Sequence, residues 1–105
     1  MDRRKEPRLN AEFSVRIWGV DRNARPFTEI VRAKNVSAGG AELTGVRSKI
    51  HADELLDVQN GTQRAQFRVI WIGHGEIGIR ALPFEPPIWG LGAAKTFEMV
   101  GAGST

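Results

Sequence analysis

Two short stretches hold the residues whose types and spacing could do chemistry. The first is Arg3-Arg4-Lys5-Glu6-Pro7-Arg8. Arginine presents its donors in a planar fork that matches a carboxylate, a phosphate or the O6/N7 edge of guanine. Pro7 disfavours a helix here, so the arginines sit on an arm free to swing onto a ligand. The second stretch is Asn35-Val36-Ser37-Ala38-Gly39-Gly40. Asn35 and Ser37 share strand parity, so their polar groups emerge on one face. Gly39 and Gly40 carry no Cβ, which lets a planar group approach the backbone. Taken singly, neither stretch is specific. A basic terminus is commonly solvated, and Asn, Ser and Gly are ordinary turn residues.

Little else in the chain is equipped for catalysis. The two histidines, His51 and His74, sit in turn-like contexts beside polar residues or glycine. Asp53 follows His51 by two positions, which is a weak pair for a metal or a general base. There is no cysteine, which excludes thiolate metal sites, disulfides and cysteine nucleophiles. No glycine-rich dinucleotide or Walker-type loop occurs. No enzymatic activity, metal or cofactor is expected.

The elements that must position these residues are short. At 105 residues there is room for one domain and one core. The hydrophobic fraction of 41% and charged fraction of 26% are those of a folded globular chain, not a disordered one. The net charge is +3, and eleven of the fifteen basic residues are arginine, so position must decide which of them matter. No apolar run is long enough to span a bilayer, and the first residues lack the apolar core of a signal peptide. A cytoplasmic domain without membrane association is expected.

Alternation of period two dominates. Phe13, Val15 and Ile17 alternate with Ser14, Arg16 and Trp18, as in a half-buried strand. A second strand is expected over 27–34, broken by turn chemistry at 35–40, and a third over 41–44. A fourth spans 55–59, a fifth 66–72 and a sixth 76–82. Asn60-Gly61 is the strongest hairpin signal, suited to a type I′ turn. Six short strands with regular turns predict an all-β fold, a small barrel or sandwich. Pro83, Pro86 and Pro87 end the β pattern. Residues 93–100 could add a short C-terminal helix, packing Phe97 and Val100 on the barrel.

The two stretches together are more specific than either alone. Arg4-x-x-x-Arg8, upstream of Asn35-x-Ser37-x-x-Gly40, resembles the two-part signature of PilZ domains, bacterial receptors for cyclic di-GMP built as six-stranded antiparallel β-barrels. The resemblance covers about residues 3 to 84 and takes in Gly61, Val69-Ile70-Trp71 and Gly78-Ile79-Arg80. It implies one domain over 1–105, with a flexible ligand-binding arm at 1–10, a barrel at 11–84 and an extension at 85–105. It implies ligand contacts from Arg4 and Arg8 on the arm and from Asn35, Ser37, Gly39 and Gly40 on the turn. Asn35 stands where many members have Asp, and it offers one acceptor and one donor in place of two acceptors. An arginine immediately before the motif, here Arg3, goes with binding of an intercalated ligand dimer.

The ligand's chemistry then gives a mechanism. Its guanines offer O6 and N7 acceptors to an arginine fork, and its two phosphates bring charge that Arg4 and Arg8 offset. Closing the arm orders it at a cost of about 1 kcal/mol or more per residue, and that ordering is the expected signal to an effector in another chain. Two alternatives stay open. One is a PilZ-like domain that has lost its ligand and serves as a protein-interaction module. The other is a small basic barrel that stacks single-stranded nucleic acid on exposed aromatics.

Overall fold

A computed structural model of the chain describes residues 12–90. Six strands follow one another: β1 (Phe13–Val20), β2 (Pro26–Ser37), β3 (Gly40–Thr44), β4 (Leu55–Asn60), β5 (Gln63–Ile72) and β6 (Glu76–Ala81). Every neighbouring pair is antiparallel, and the order β1-β2-β3-β6-β5-β4 closes on itself through the β1–β4 pairing. Closure removes the unpaired edges that an open sheet of this size would expose. The expected six-stranded antiparallel barrel is therefore found.

Alternation fills it. Val15 and Ile17 of β1, Leu43 of β3, Leu56 and Val58 of β4, Phe67 and Val69 of β5, and Ile77 and Ile79 of β6 are all buried in one cluster. Burying a side chain of this kind contributes roughly 1.5–3 kcal/mol each, which is why the period-two pattern dictates which face turns inward.

Both ends of the barrel are closed by side chains. At one end, the loop between β3 and β4 folds across and buries Ile50. Its backbone is tied to the neighbouring hairpins: the Gly45 and Val46 amides donate to Gly75 O, and the Arg22 amide to Lys49 O. At the other end the chain returns after β6 and buries Ile88 and Trp89. The Trp89 ring lies 6.2 Å from Phe13 and 5.8 Å from Phe67, and Asn60 Nδ2 donates to Ile88 O at 2.7 Å. The prolines thus end the ladder without ending the packing. Ile88 and Trp89 belong to the core although they lie beyond the expected barrel limit at 84.

Several boundaries differ from expectation. The second strand does not stop at Lys34 but runs to Ser37, and the fifth begins at Gln63. Asn60 pairs with Gln63, so the hairpin turns on Gly61 and Thr62 and not on Asn60-Gly61. Of the two, only Gly61 has a positive φ, 65°, as a type II′ turn requires, whereas type I′ needs two. Asn60 stays in the strand, where its carboxamide holds the returning chain. The arm at 1–10 and the short helix expected over 93–100 lie outside the described residues. Among the described residues, no helix is long and apolar enough to cross a membrane.

Candidate functional site

Strand parity alone would not put Asn35 on the outside. Val31 and Ala33 point inward, so an unbroken β2 would send Asn35 after them. A β-bulge prevents this. Lys34 pairs with Glu42 and Ser37 with Gly40, leaving Asn35 and Val36 together opposite Ala41. Asn35 takes a left-handed backbone, φ 49°, which Asn tolerates better than any residue but Gly. Val36 then drops into the core at 0% exposure, while Asn35 and Ser37 are both half-buried at the outer surface. The expected sharing of one face holds, through the bulge.

The turn itself is tight. Ser37 pairs with Gly40 across Ala38 and Gly39, and Gly39 O accepts from the Ala81 amide at 2.7 Å. Gly40 is a strand residue. A Cβ built on it would lie 2.6 Å from Ile79 O, so the close passage of β6 requires a glycine there before any ligand is considered.

A second bulge works on the other side of the same surface. Val69 pairs with Ile79 and Trp71 with Gly78, so Ile70 is the extra residue and Trp71 is re-aimed outward. Its indole lies flat across Gly78, where a Cβ would come within 2.1 Å of Nε1. Gly78 in turn pairs with Glu42 on β3. Glu42 Oε1 accepts from Asn35 Nδ2 at 3.0 Å, which commits the donor half of the Asn35 carboxamide. The Asn35 carbonyl oxygen and the Ser37 hydroxyl have no hydrogen-bond partner among the described residues. Lys34 Nζ donates to Glu76 Oε2 at 3.1 Å, and that bond, with the Glu76 charge behind it, raises the lysine pKa and keeps it cationic. Arg80, opposite Gly40 on β6, is exposed and has no acidic partner among the described residues.

The site therefore assembles Asn35, Ser37, Gly39 and Gly40 with Glu42, Trp71, Gly78 and Arg80, on the outward face of β2, β3, β6 and β5. The first four were expected. The last four carry no local signal of their place here, except that an isolated glycine within a strand, Gly78, signals close approach. Arg3, Arg4 and Arg8 lie outside the described residues. The chain enters β1 at Phe13, which pairs with Ala33, two residues before Asn35. Just ahead of it, Glu12 is bonded to Arg32 on β2 at 2.9 Å. His51 and His74 are both exposed.

Fold and site together define a small closed barrel of six antiparallel strands with a polar outer surface bordered by the Trp71 ring. Comparison with protein-family models gave no match, and a search of curated proteins found no relative.

Proposed function

We propose that this protein is a non-catalytic receptor for cyclic di-GMP, of PilZ type, in which Arg4 and Arg8 close over a ligand resting on the Asn35–Ser37–Gly40 surface. The observation that carries the reading is positional. Asn35, Ser37 and Gly40 sit at the barrel end where the chain enters β1, so a stretch ending at residue 11 joins beside them.

The chemistry of the surface suits a purine nucleotide. The Asn35 carbonyl and the Ser37 hydroxyl, which have no partner among the described residues, accept from the N–H edge of guanine. The Trp71 indole is 39% exposed and offers a flat apolar neighbour to a base. Arg80 and the arm arginines supply charge for the two phosphates. Arg3, adjoining the motif, supports two stacked ligands per chain. Ordering of the arm is the event that an effector protein senses.

Isothermal titration with cyclic di-GMP tests this, with wild type beside Arg8→Ala and Ser37→Ala. Saturable binding at two ligands per chain is expected. Each substitution should weaken it by at least about tenfold, roughly 1.4 kcal/mol, with an unchanged circular dichroism spectrum. Wild type that ignores cyclic di-GMP, or an Arg8→Ala variant that binds as well as wild type, refutes the reading.

A further inference from the structure

Across the barrel from β2 and β3, the outward face of β1, β4 and β5 carries a second concentration of arginine and aromatic groups. Register puts Arg16, Gln59 and Arg64 in one row and Trp18, Asp57 and Gln66 in the next. Arg64 lies over the Trp18 ring, its guanidinium carbon 4.4 Å from the centroid, and Arg16 approaches the same ring at 6.0 Å. A guanidinium on an indole is held in place, yet its N–H edge still points to solvent.

The two arginines differ in their acidic neighbours, and only Arg64 has one on this face. Arg16 has no acidic partner among the described residues. Arg64 forms an exposed ion pair with Asp57 at 3.6 Å, too long for a hydrogen bond and weak enough in water to give way to a second carboxylate. The two sit two strands apart, roughly 9–10 Å across the sheet.

A separate feature lies beside Gln66, along the β6 edge of β5. After β6 the chain is pinned to Gln66 by two hydrogen bonds, Leu82 N to Gln66 O at 3.1 Å and Gln66 N to Glu85 Oε1 at 2.8 Å. In the turn so formed, Phe84 holds φ at 71° with its side chain wholly in solvent, at 104% exposure. A bulky residue in the left-handed region is strained, and this one buries nothing in return. Preorganised arginine, Trp and an exposed Phe are the composition of a protein-binding hot spot.

We propose that this face, centred on Trp18, Arg16 and Arg64 and bordered by Phe84, is a docking surface for an acidic polypeptide segment carrying an apolar residue. Charge complementarity selects the acid: the arginine forks match carboxylates bidentately. The same geometry disfavours nucleic acid, because Arg64 already covers the indole face on which a base would stack. The surface is separate from the Asn35–Gly40 site, and its occupancy does not depend on what binds there.

The test is a heteronuclear NMR titration of the full chain with a synthetic peptide alternating Glu and Leu, run beside oligothymidylate and phosphatidylserine vesicles. Peptide-induced shifts should concentrate on the Trp18 indole N–H and on the amides of Arg16, Arg64 and Phe84. The double variant Arg16→Glu/Arg64→Glu should weaken peptide binding by about tenfold or more, and Phe84→Ser by a few-fold. Arg22→Glu/Lys49→Glu, an equal change of charge elsewhere on the exposed surface, should leave it within about twofold. The same spectra report whether each variant is folded. The proposal is overturned if the peptide shifts nothing at Trp18, if the control pair loses as much affinity, or if oligothymidylate or the vesicles occupy the face in preference to the peptide.

Discussion

The α-hydrogen of Gly40 occupies the space in which a methyl group would press on Ile79 O. A backbone carbonyl in a closed barrel cannot swing aside as a flexible side chain can, so the strain must be taken up by β3 and β6 together. Gly40→Ala is expected to cost about 1–3 kcal/mol, read as a lower urea midpoint with an unchanged slope. At Gly78 the obstacle is the Trp71 ring, a side chain that can rotate away, so two glycines of one surface are required for different reasons. Residue types made part of this site legible. Asn35, Ser37 and Gly40 stand out because amide, hydroxyl and glycine recur at turn spacing. Glu42 and Trp71 do not, because their place depends on which strands pair and in what register, and nothing local to Glu42 or Trp71 encodes that.

At the scale of the strand, the two bulges decide what the site contains. Alternation read from Val31 and Ala33 forward predicts that Asn35 is buried, and alternation read from Phe67 and Val69 predicts the same for Trp71. Each bulge inserts one residue and reverses the parity beyond it. The period-two signal located all six strands because each has an apolar inner face. It could not place the bulges, since an extra residue changes the phase of the pattern without changing its composition. The end of β2 is hidden from the pattern for the same reason: Asn35 and Ser37 look like turn residues, whereas one is a bulge and the other a ladder position. Asn35 is held at φ 49°, so the element can be tested apart from the side chain. Asn35→Val places a β-branched residue in the left-handed region and should destabilise the barrel by about 1–2 kcal/mol. Asn35→Gly keeps the bulge while removing the carboxamide, so stability should stay within about 0.5 kcal/mol of wild type. Thermal denaturation of the pair separates the two contributions, and equal losses in both would show that the bond to Glu42 matters more than the backbone.

In the molecule as a whole, both mouths of the barrel are shut by buried side chains, and the two plugs are held by different forces. Ile88 and Trp89 are held by aromatic packing and the Asn60 bond, which are indifferent to pH. The Ile50 loop is held by its backbone bonds and by one carboxylate. Glu29 accepts from the Arg47 amide at 3.0 Å, from the Ser48 amide at 2.6 Å and from the Ser48 hydroxyl. Partial burial, the strongest single influence, pushes its pKa up. The Ser48 hydroxyl, the two amides and the Arg47 charge outweigh it together and hold the pKa below the ordinary 4.5. A carboxylate whose folded pKa is depressed stabilises the fold fully above its unfolded value and loses that contribution as pH falls through the folded one. The wild-type barrel should therefore lose stability on going from about pH 6 to about pH 3 more steeply than Glu29→Gln, whose neutral amide cannot titrate. Near neutrality the variant should be about 1 kcal/mol less stable, a figure already reduced for solvent screening of a largely accessible group, and the two should converge in acid. Urea midpoints across that range check it. Parallel curves would mean that the loop over Ile50 is held by its backbone bonds to Gly75 and Arg22, with the carboxylate incidental.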